Sequence, residues 1–192
     1  MRLILGSGSP RRRELLAQIG VVPDEIRPAD IDETPHKNEM PRLYAARLAV
    51  EKAQAITSDD LILSADTVVA IGRRILGKPQ DATEAAQFLM LLSGRRHRVI
   101  TGVALRLGDK IWSRQVETVV KFKRLSDAEL SAYLRSNEWQ GKAGGYAIQG
   151  IGAAFIPSIN GSYTNVVGFP LTEVTNMLTG AGYPVSFEGV PA

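Results

Sequence analysis

Leu3-Ile4-Leu5-Gly6-Ser7-Gly8-Ser9-Pro10-Arg11-Arg12-Arg13-Glu14-Leu15-Leu16 reads as an apolar strand, a turn of small residues and the start of a helix. Ser9 occupies the expected N-cap and Pro10 the first helical position, where its ring presets φ. Such a turn leaves backbone N–H groups pointing off a helix end, a ready site for an anion. Arginines in the first helical turn oppose the macrodipole, so a negative partner is expected to offset them. Phosphate suits them, because guanidinium forks bind phosphate oxygens in pairs. A solvated basic helix start is the plain alternative on these residues alone.

The chain has 192 residues, 44% apolar and 22% charged, values of an ordinary globular domain large enough for a substantial core. A net charge of +3 fits an anionic ligand but is too small to argue for nucleic acid. There is no cysteine, which excludes a disulfide framework and a thiolate metal site. No run approaches the roughly 18 apolar residues of a membrane-spanning helix. The first residues do not form a signal peptide, so a cytoplasmic location is expected, with no membrane partner.

Working outward from the opening stretch, Arg11 to Ile19 is expected to be helical and to end at Gly20. Glu25 to Arg27 is extended, and Ile31-Asp32-Glu33-Thr34-Pro35 is a loop. Arg42 to Ile56 has the pattern of an amphipathic helix, with Leu43, Ala46, Leu48, Ala49, Ala53 and Ile56 assigned to its inner side. Leu61 to Ala70 is nearly continuous in apolar residues and reads as a buried central strand with one ionisable residue, Asp66. A short return strand leads to Gly77-Lys78-Pro79, and Asp81 caps a helix that stops at Gly94. Arg98 to Leu107 and Ile111 to Phe122 form a long antiparallel hairpin. Ser126-Asp127-Ala128-Glu129 is a capping box opening another helix. After the glycine-dense stretch from Gly141 to Gly152, a strand is expected over Ala153 to Ile159 and a last helix over Pro170 to Leu178. The order implies a mixed α/β sheet with flanking helices and two lobes around a cleft, in one domain over residues 1–180 with a peripheral tail over 181–192.

Asp66 is the sharpest chemical signal, because a carboxylate in an apolar strand must be paired, hydrogen-bonded, metal-bound or protonated. A structural aspartate held by backbone donors is the plain alternative. Glu33, Lys52 and Lys78, with Ser7, Arg11 and Arg12, complete an inventory able to hold Mg²⁺ and a polyphosphate and to supply a base for water. Singly, Glu33 and Lys52 would pass as solvated charges. Gly6-Ser7-Gly8 lacks dinucleotide-binding spacing, and no P-loop is present. His36 and His97 are too few and too isolated for a zinc site, and each is expected to be structural or exposed.

Several stretches together resemble the Maf family. They are the opening segment from Ser7, Asp32-Glu33-Thr34-Pro35, Ser64-Ala65-Asp66-Thr67-Val68-Val69, Gly77-Lys78-Pro79, Gly141 to Gly150, and Gly161 to Gly168. The resemblance implies a nucleoside triphosphate pyrophosphatase that uses a divalent metal, Mg²⁺ or Mn²⁺. It also implies a fold like the inosine-triphosphatase superfamily, the substrate in a cleft, and a possible homodimer. By motif, Asp66 is implied as general base or metal holder, with Glu33 beside it near the metal. Ser7, Arg12, Lys52 and Lys78 are implied on the phosphates, and Arg11, Thr67 and Gln149 on the base. In the branch acting on dTTP and UTP those last three positions carry Arg, Thr and Gln, as here. The branch acting on 7-methyl-GTP typically carries Trp, Gln and Glu. A 7-methyl-GTP or other modified-nucleotide pyrophosphatase, and a nucleotide-binding regulator of septum formation, are the competing readings. No nucleic-acid partner is expected.

Overall fold

The computed structural model describes residues 1–188. In chain order the elements are β1 (Leu3–Leu5), α1 (Pro10–Gln18), β2 (Glu25–Ile26), α2 (Pro41–Ala55), β3 (Leu61–Ile71), β4 (Arg74–Leu76), α3 (Ala82–Leu92), β5 (Arg96–Leu107), β6 (Lys110–Lys121), α4 (Asp127–Arg135), β7 (Ser158–Asn160), α5 (Tyr163–Val167) and α6 (Leu171–Gly180). Among the described residues, seven strands make one mixed sheet in the order β2-β1-β3-β5-β6-β7, with β4 also paired to β3. This is the mixed α/β architecture expected from the sequence. No helix among the described residues is long and apolar enough to cross a membrane.

β3 organises the sheet. One edge pairs antiparallel with β5 from Ile62 to Ala70. The other edge is shared: β1 runs parallel to Leu61–Leu63, and β4 returns antiparallel against Val69–Ile71. Both faces are covered, which explains the unbroken apolar run. Leu61, Leu63 and Ala65 join a cluster with Leu15 and Leu16 of α1 and Val174 and Leu178 of α6. Ile62 packs with Ala49 and Ala53 of α2, and Val68 with Tyr44, Ala45 and Leu48. A second lobe is built from α3 and α4 around Phe88, Leu89, Phe122, Tyr133 and Phe155. Each fully buried side chain of this size contributes roughly 1.5–3 kcal/mol.

The caps follow the expected local chemistry. Asp81 accepts from the Glu84 N–H at 2.8 Å, and Ser126 and Glu129 close a capping box. Ser9 stands at the N-cap of α1 with Pro10 behind it, but its side chain makes no cap hydrogen bond, and the first turn has no acidic residue. Two expectations need correction. Leu43 is exposed, and Tyr44 and Ala45 are buried instead, because the inner face of α2 is the 44/45/48/49/53 stripe. The strand expected over Ala153 to Ile159 shortens to β7, preceded by a 3-10 turn over Ile151–Phe155. Ala153 N donates to Gly150 O at 3.1 Å and Ile156 N to Ala153 O at 3.1 Å, local turns in place of a ladder, while the Ile151 and Gly152 N–H groups just before them donate to the Glu138 carboxylate. The helix α5, capped by Ser162, was not anticipated. Beyond α6, Tyr183 and Val185 pack on the α1/α6 cluster; residues 189–192 of the expected tail lie outside the described residues.

Two positions give stability tests. At Gly102 of β5 a Cβ would overlap the Ala45 carbonyl, so α2 lies directly on the strand at this point. Gly102→Ala is expected to cost about 1–3 kcal/mol by overpacking, read by urea denaturation. Gly180→Ala meets nothing within 4 Å and, at the end of α6, serves as the control without overlap, expected to hold or slightly raise stability. The second position is His97, buried edge-on between Phe122 and Tyr146, with Nε2 hydrogen-bonded to the Tyr146 hydroxyl at 2.7 Å. Burial pushes its pKa down to about 4. The unfolded chain takes up this proton near pH 6.5 and the folded chain does not, so stability falls as pH drops from about 6.5 to 4, by on the order of 3 kcal/mol. His97→Gln should remove that part of the pH profile. Superimposable profiles for the two proteins would contradict the assignment.

Candidate active site

The cleft begins where the sheet is incomplete. Because β1 stops at Leu5 and β4 starts its pairing only at Val69, the β3 edge between Ser64 and Val68 has no strand beside it. The chain leaves β1 through Gly6, whose N–H still donates to Leu63 O at 2.8 Å, and turns away into α1. A cleft of about 770 Å³ opens at this gap, at the carboxyl end of β1. Ligands of open α/β sheets characteristically bind in such crevices.

Alternation along β3 sends Asp66 and Thr67 to opposite faces. Asp66 points toward α2, where Lys52 follows Leu48 on the inner stripe one turn later. Lys52 Nζ lies 2.6 Å from Asp66 Oδ1 and 2.7 Å from Glu33 Oε1. One ammonium thus gathers two carboxylates. Glu33 is half-exposed and comes from the loop before α2, which is fixed from behind. Tyr44 donates its hydroxyl to Glu33 O at 2.7 Å. The Arg47 fork donates to both Glu39 oxygens at 2.7 and 2.8 Å, and to Thr34 O at 3.2 Å. The Arg47 hydrogen bonds hold the Glu39 carboxyl down at about 2.

On the other face, Thr67 meets the start of α1. Arg12 donates from Nη1 to Ser7 Oγ at 2.8 Å, from Nε to Gly168 O at 3.0 Å and from Nη2 to Thr67 Oγ1 at 3.3 Å. Three of its five N–H groups are thereby fixed, and the remaining donors can serve a ligand. Thr67 Oγ1 also contacts Thr101 Oγ1 at 2.9 Å and Gly168 O at 3.3 Å, which saturates a hydroxyl. Burial lowers the pKa of Arg12, and the Asp66 charge partly restores it. Burial likewise lowers the pKa of Arg11, whose Nε has no partner among the described residues. Lys142 is lowered by burial and then by the charge of Arg11. These cations have lost hydration beside one another, an arrangement that favours a polyanion between them.

The cleft brings together every residue singled out in the sequence: Ser7, Arg11, Arg12, Glu33, Lys52, Asp66, Thr67, Lys78 and Gln149. Ser7 and Asp66 are buried, Arg11, Arg12, Lys52 and Thr67 are partly buried, and Glu33, Lys78 and Gln149 are exposed at the rim. Lys78 follows Gly77, whose carbonyl accepts from Gly144 N at 3.0 Å. Gly144 and Gly145, at φ +69° and +74°, let this loop pass tightly over Val69 and Ala85. Glu138, Lys142, Tyr44 and Arg47 were missed. Only Arg47 carried a signal, its i,i+4 spacing to Glu51, with which it pairs at 2.9 Å. His36 is exposed and His97 is buried away from the acidic pair.

Among the described residues, no group of three or more His, Cys, Asp or Glu side chains is placed to hold an ion. The convergence of Asp66 and Glu33 on one cation fits a Mg²⁺-type ion shared with substrate phosphates, since such ions take one or two carboxylates beside phosphate and water.

Comparison with known proteins places the chain in a family and among solved folds. A protein of Cereibacter sphaeroides named dTTP/UTP pyrophosphatase is 64% identical over 187 residues, covering 96% of this chain and 97% of that one. One of the same name from Ruegeria sp. is 63% identical with the same coverage. A HAM1 protein from Coxiella burnetii shares the fold, with a TM-score of 0.53 at 16% identity, over 94% of this chain and 99% of that one. Residues 2–181 match the Maf family, described as Maf-like protein, and the chain therefore belongs to that family.

Proposed function

We propose that this cleft hydrolyses dTTP and UTP, and modified pyrimidine triphosphates, to the monophosphate and pyrophosphate. The observation that carries the proposal is the Lys52-bridged Asp66–Glu33 pair, set opposite the arginine-lined start of α1 in one cleft with Gln149 at its rim. Relatives more than 60% identical over nearly their whole length bear the name of this activity.

Water attacks the α-phosphorus, the bond to the α,β-bridging oxygen breaks, and pyrophosphate departs with that oxygen. Asp66 takes the proton from the attacking water. Lys52 engages Asp66 through Oδ1, fixing the carboxylate and keeping the two acids from repelling each other. Ser7, the free donors of Arg12, and Lys78 meet the phosphate oxygens, and the α1 N-terminus, uncapped by any side chain, adds its dipole. A divalent cation, when bound, supplies charge neutralisation on the phosphates, and Asp66 and Glu33 would hold it. At the base, the Gln149 amide both donates and accepts, matching the N3–H and O4 edge of uracil or thymine. Arg11 flanks that side, and Thr67 fixes Arg12 and the Gly168 turn behind it. We place the activity in the cytoplasm, in a homodimer, with no nucleic-acid partner.

The test is an assay of dTTP, UTP, CTP, GTP and 7-methyl-GTP with Mg²⁺, Mn²⁺ or EDTA, scoring pyrophosphate against phosphate. Preference for dTTP and UTP, pyrophosphate as the inorganic product, and loss in EDTA are expected. Asp66→Asn should stay folded, with Lys52 still paired to Glu33, though with a lowered melting temperature, and lose about 10²–10⁴-fold in kcat. Turnover near wild type in that variant, or preference for 7-methyl-GTP, would overturn the assignment.

A further inference from the structure

Gln149 is exposed at the cleft rim, and its side-chain amide makes no hydrogen bond among the described residues. The backbone therefore fixes the point from which the side chain reaches into the cleft, and a bound base would supply the amide's partners. That backbone is tightly constrained. Gly150 N donates back to Ala147 O at 3.4 Å, and a Cβ at Gly152 would overlap the Ala147 carbonyl, so residues 147–152 fold closely on themselves.

The outer end of this turn is anchored by one side chain from the segment after α4. Glu138 Oε2 accepts from the Ile151 N–H at 2.7 Å, and Oε1 accepts from the Gly152 N–H at 2.9 Å. Tyr133, buried in the second lobe, donates its hydroxyl to Oε1 at 3.1 Å and ties the carboxylate to that core. Gly150 lies so close that any Cβ there would overlap the carboxylate. Charge-assisted bonds to two successive amides hold a loop more firmly than neutral ones. We propose that Glu138 is the positioning residue for pyrimidine selection, holding the Ala147–Gly152 turn so that Gln149 is presented to the base from one fixed backbone position.

This inference rests on the base-reading role given to Gln149, and UTP and CTP probe it directly. The two differ at the edge the amide would read: UTP presents N3–H and O4, CTP an acceptor and an amino group. Glu138→Gln keeps the shape but sets an NH₂ group against a backbone N–H donor. The measurement is the ratio of kcat/KM for UTP over CTP, together with the melting temperature, for wild type, Glu138→Gln, Tyr133→Phe and Gln149→Ala. The expected result is a fall of about tenfold in the ratio for Glu138→Gln and about threefold for Tyr133→Phe, which removes one bond only. A purely structural role would lower UTP and CTP turnover alike and leave the ratio unchanged. If Glu138→Gln does not fold, Tyr133→Phe decides alone. A collapsed ratio in Gln149→Ala with wild-type ratios in both other variants overturns the positioning role and leaves base reading intact. A wild-type ratio in Gln149→Ala overturns base reading, and the positioning role with it.

Discussion

A single ammonium holds two carboxylates in place on one wall of the cleft, Asp66 buried and Glu33 at the rim. Lys52 is largely buried, as is Asp66, and each would carry a heavy desolvation cost without the other. Glu33 adds a second acid to the same cation from a loop that is otherwise open to solvent. Removing Lys52 would leave two like charges facing each other in a partly dry site, with each raising the cost of ionising its neighbour. In the proposed reaction, the arrangement lets an acidic pair coexist with a negatively charged substrate. Three desolvated cations, Arg11, Arg12 and Lys142, line other parts of the cleft.

The sheet makes this possible by ending β1 early. With a longer β1 the β3 edge from Ser64 to Val68 would be paired, and the cleft would be filled by a strand. Because the edge is left open, neighbouring residues of one strand serve opposite walls. Asp66 faces α2 and the acidic loop, while Thr67 faces α1 and the Gly168 turn. Tyr44 and Arg47 brace the loop that carries Glu33, and Glu138 braces the turn that carries Gln149. The exposed side chains of Glu33 and Gln149 are thus mounted on backbones held by hydrogen bonds from side chains elsewhere in the fold.

Much of this was legible from local chemistry. The β3 run, the Asp81 and Ser126 caps, the hairpin and the proline at the start of α1 each obey a short-range rule, and the structure follows them. The inner face of α2 was only half read: Leu48, Ala49 and Ala53 are correct, whereas Leu43 belongs to the outside. The tight contact at Gly102 helps to select the stripe that faces the sheet, and that contact is a tertiary fact. Lys52 illustrates the same limit. A lysine beside Glu51 looks like surface charge until the helix phase turns it toward Asp66. The strand expected at Ala153 failed because its first backbone donors turn back locally, Ala153 N to Gly150 O and Ile156 N to Ala153 O, in a 3-10 turn that period-two reading does not see. The nine residues named from motifs converge on one cleft, but the groups that hold them steady carried no sequence pattern beyond one i,i+4 pair.

The central claim is that the Lys52-bridged acids face the α-phosphate while Gln149 meets the base. A crystal structure with Mg²⁺ and α,β-imido-UTP, in which the scissile oxygen is replaced by nitrogen, tests both ends of the substrate at once. The account predicts the α-phosphorus beside Asp66 and Glu33, and the O4/N3–H edge of uracil hydrogen-bonded to the Gln149 amide. A nucleotide bound in the opposite direction, with the base against Asp66 and the phosphates at Gln149, would contradict it.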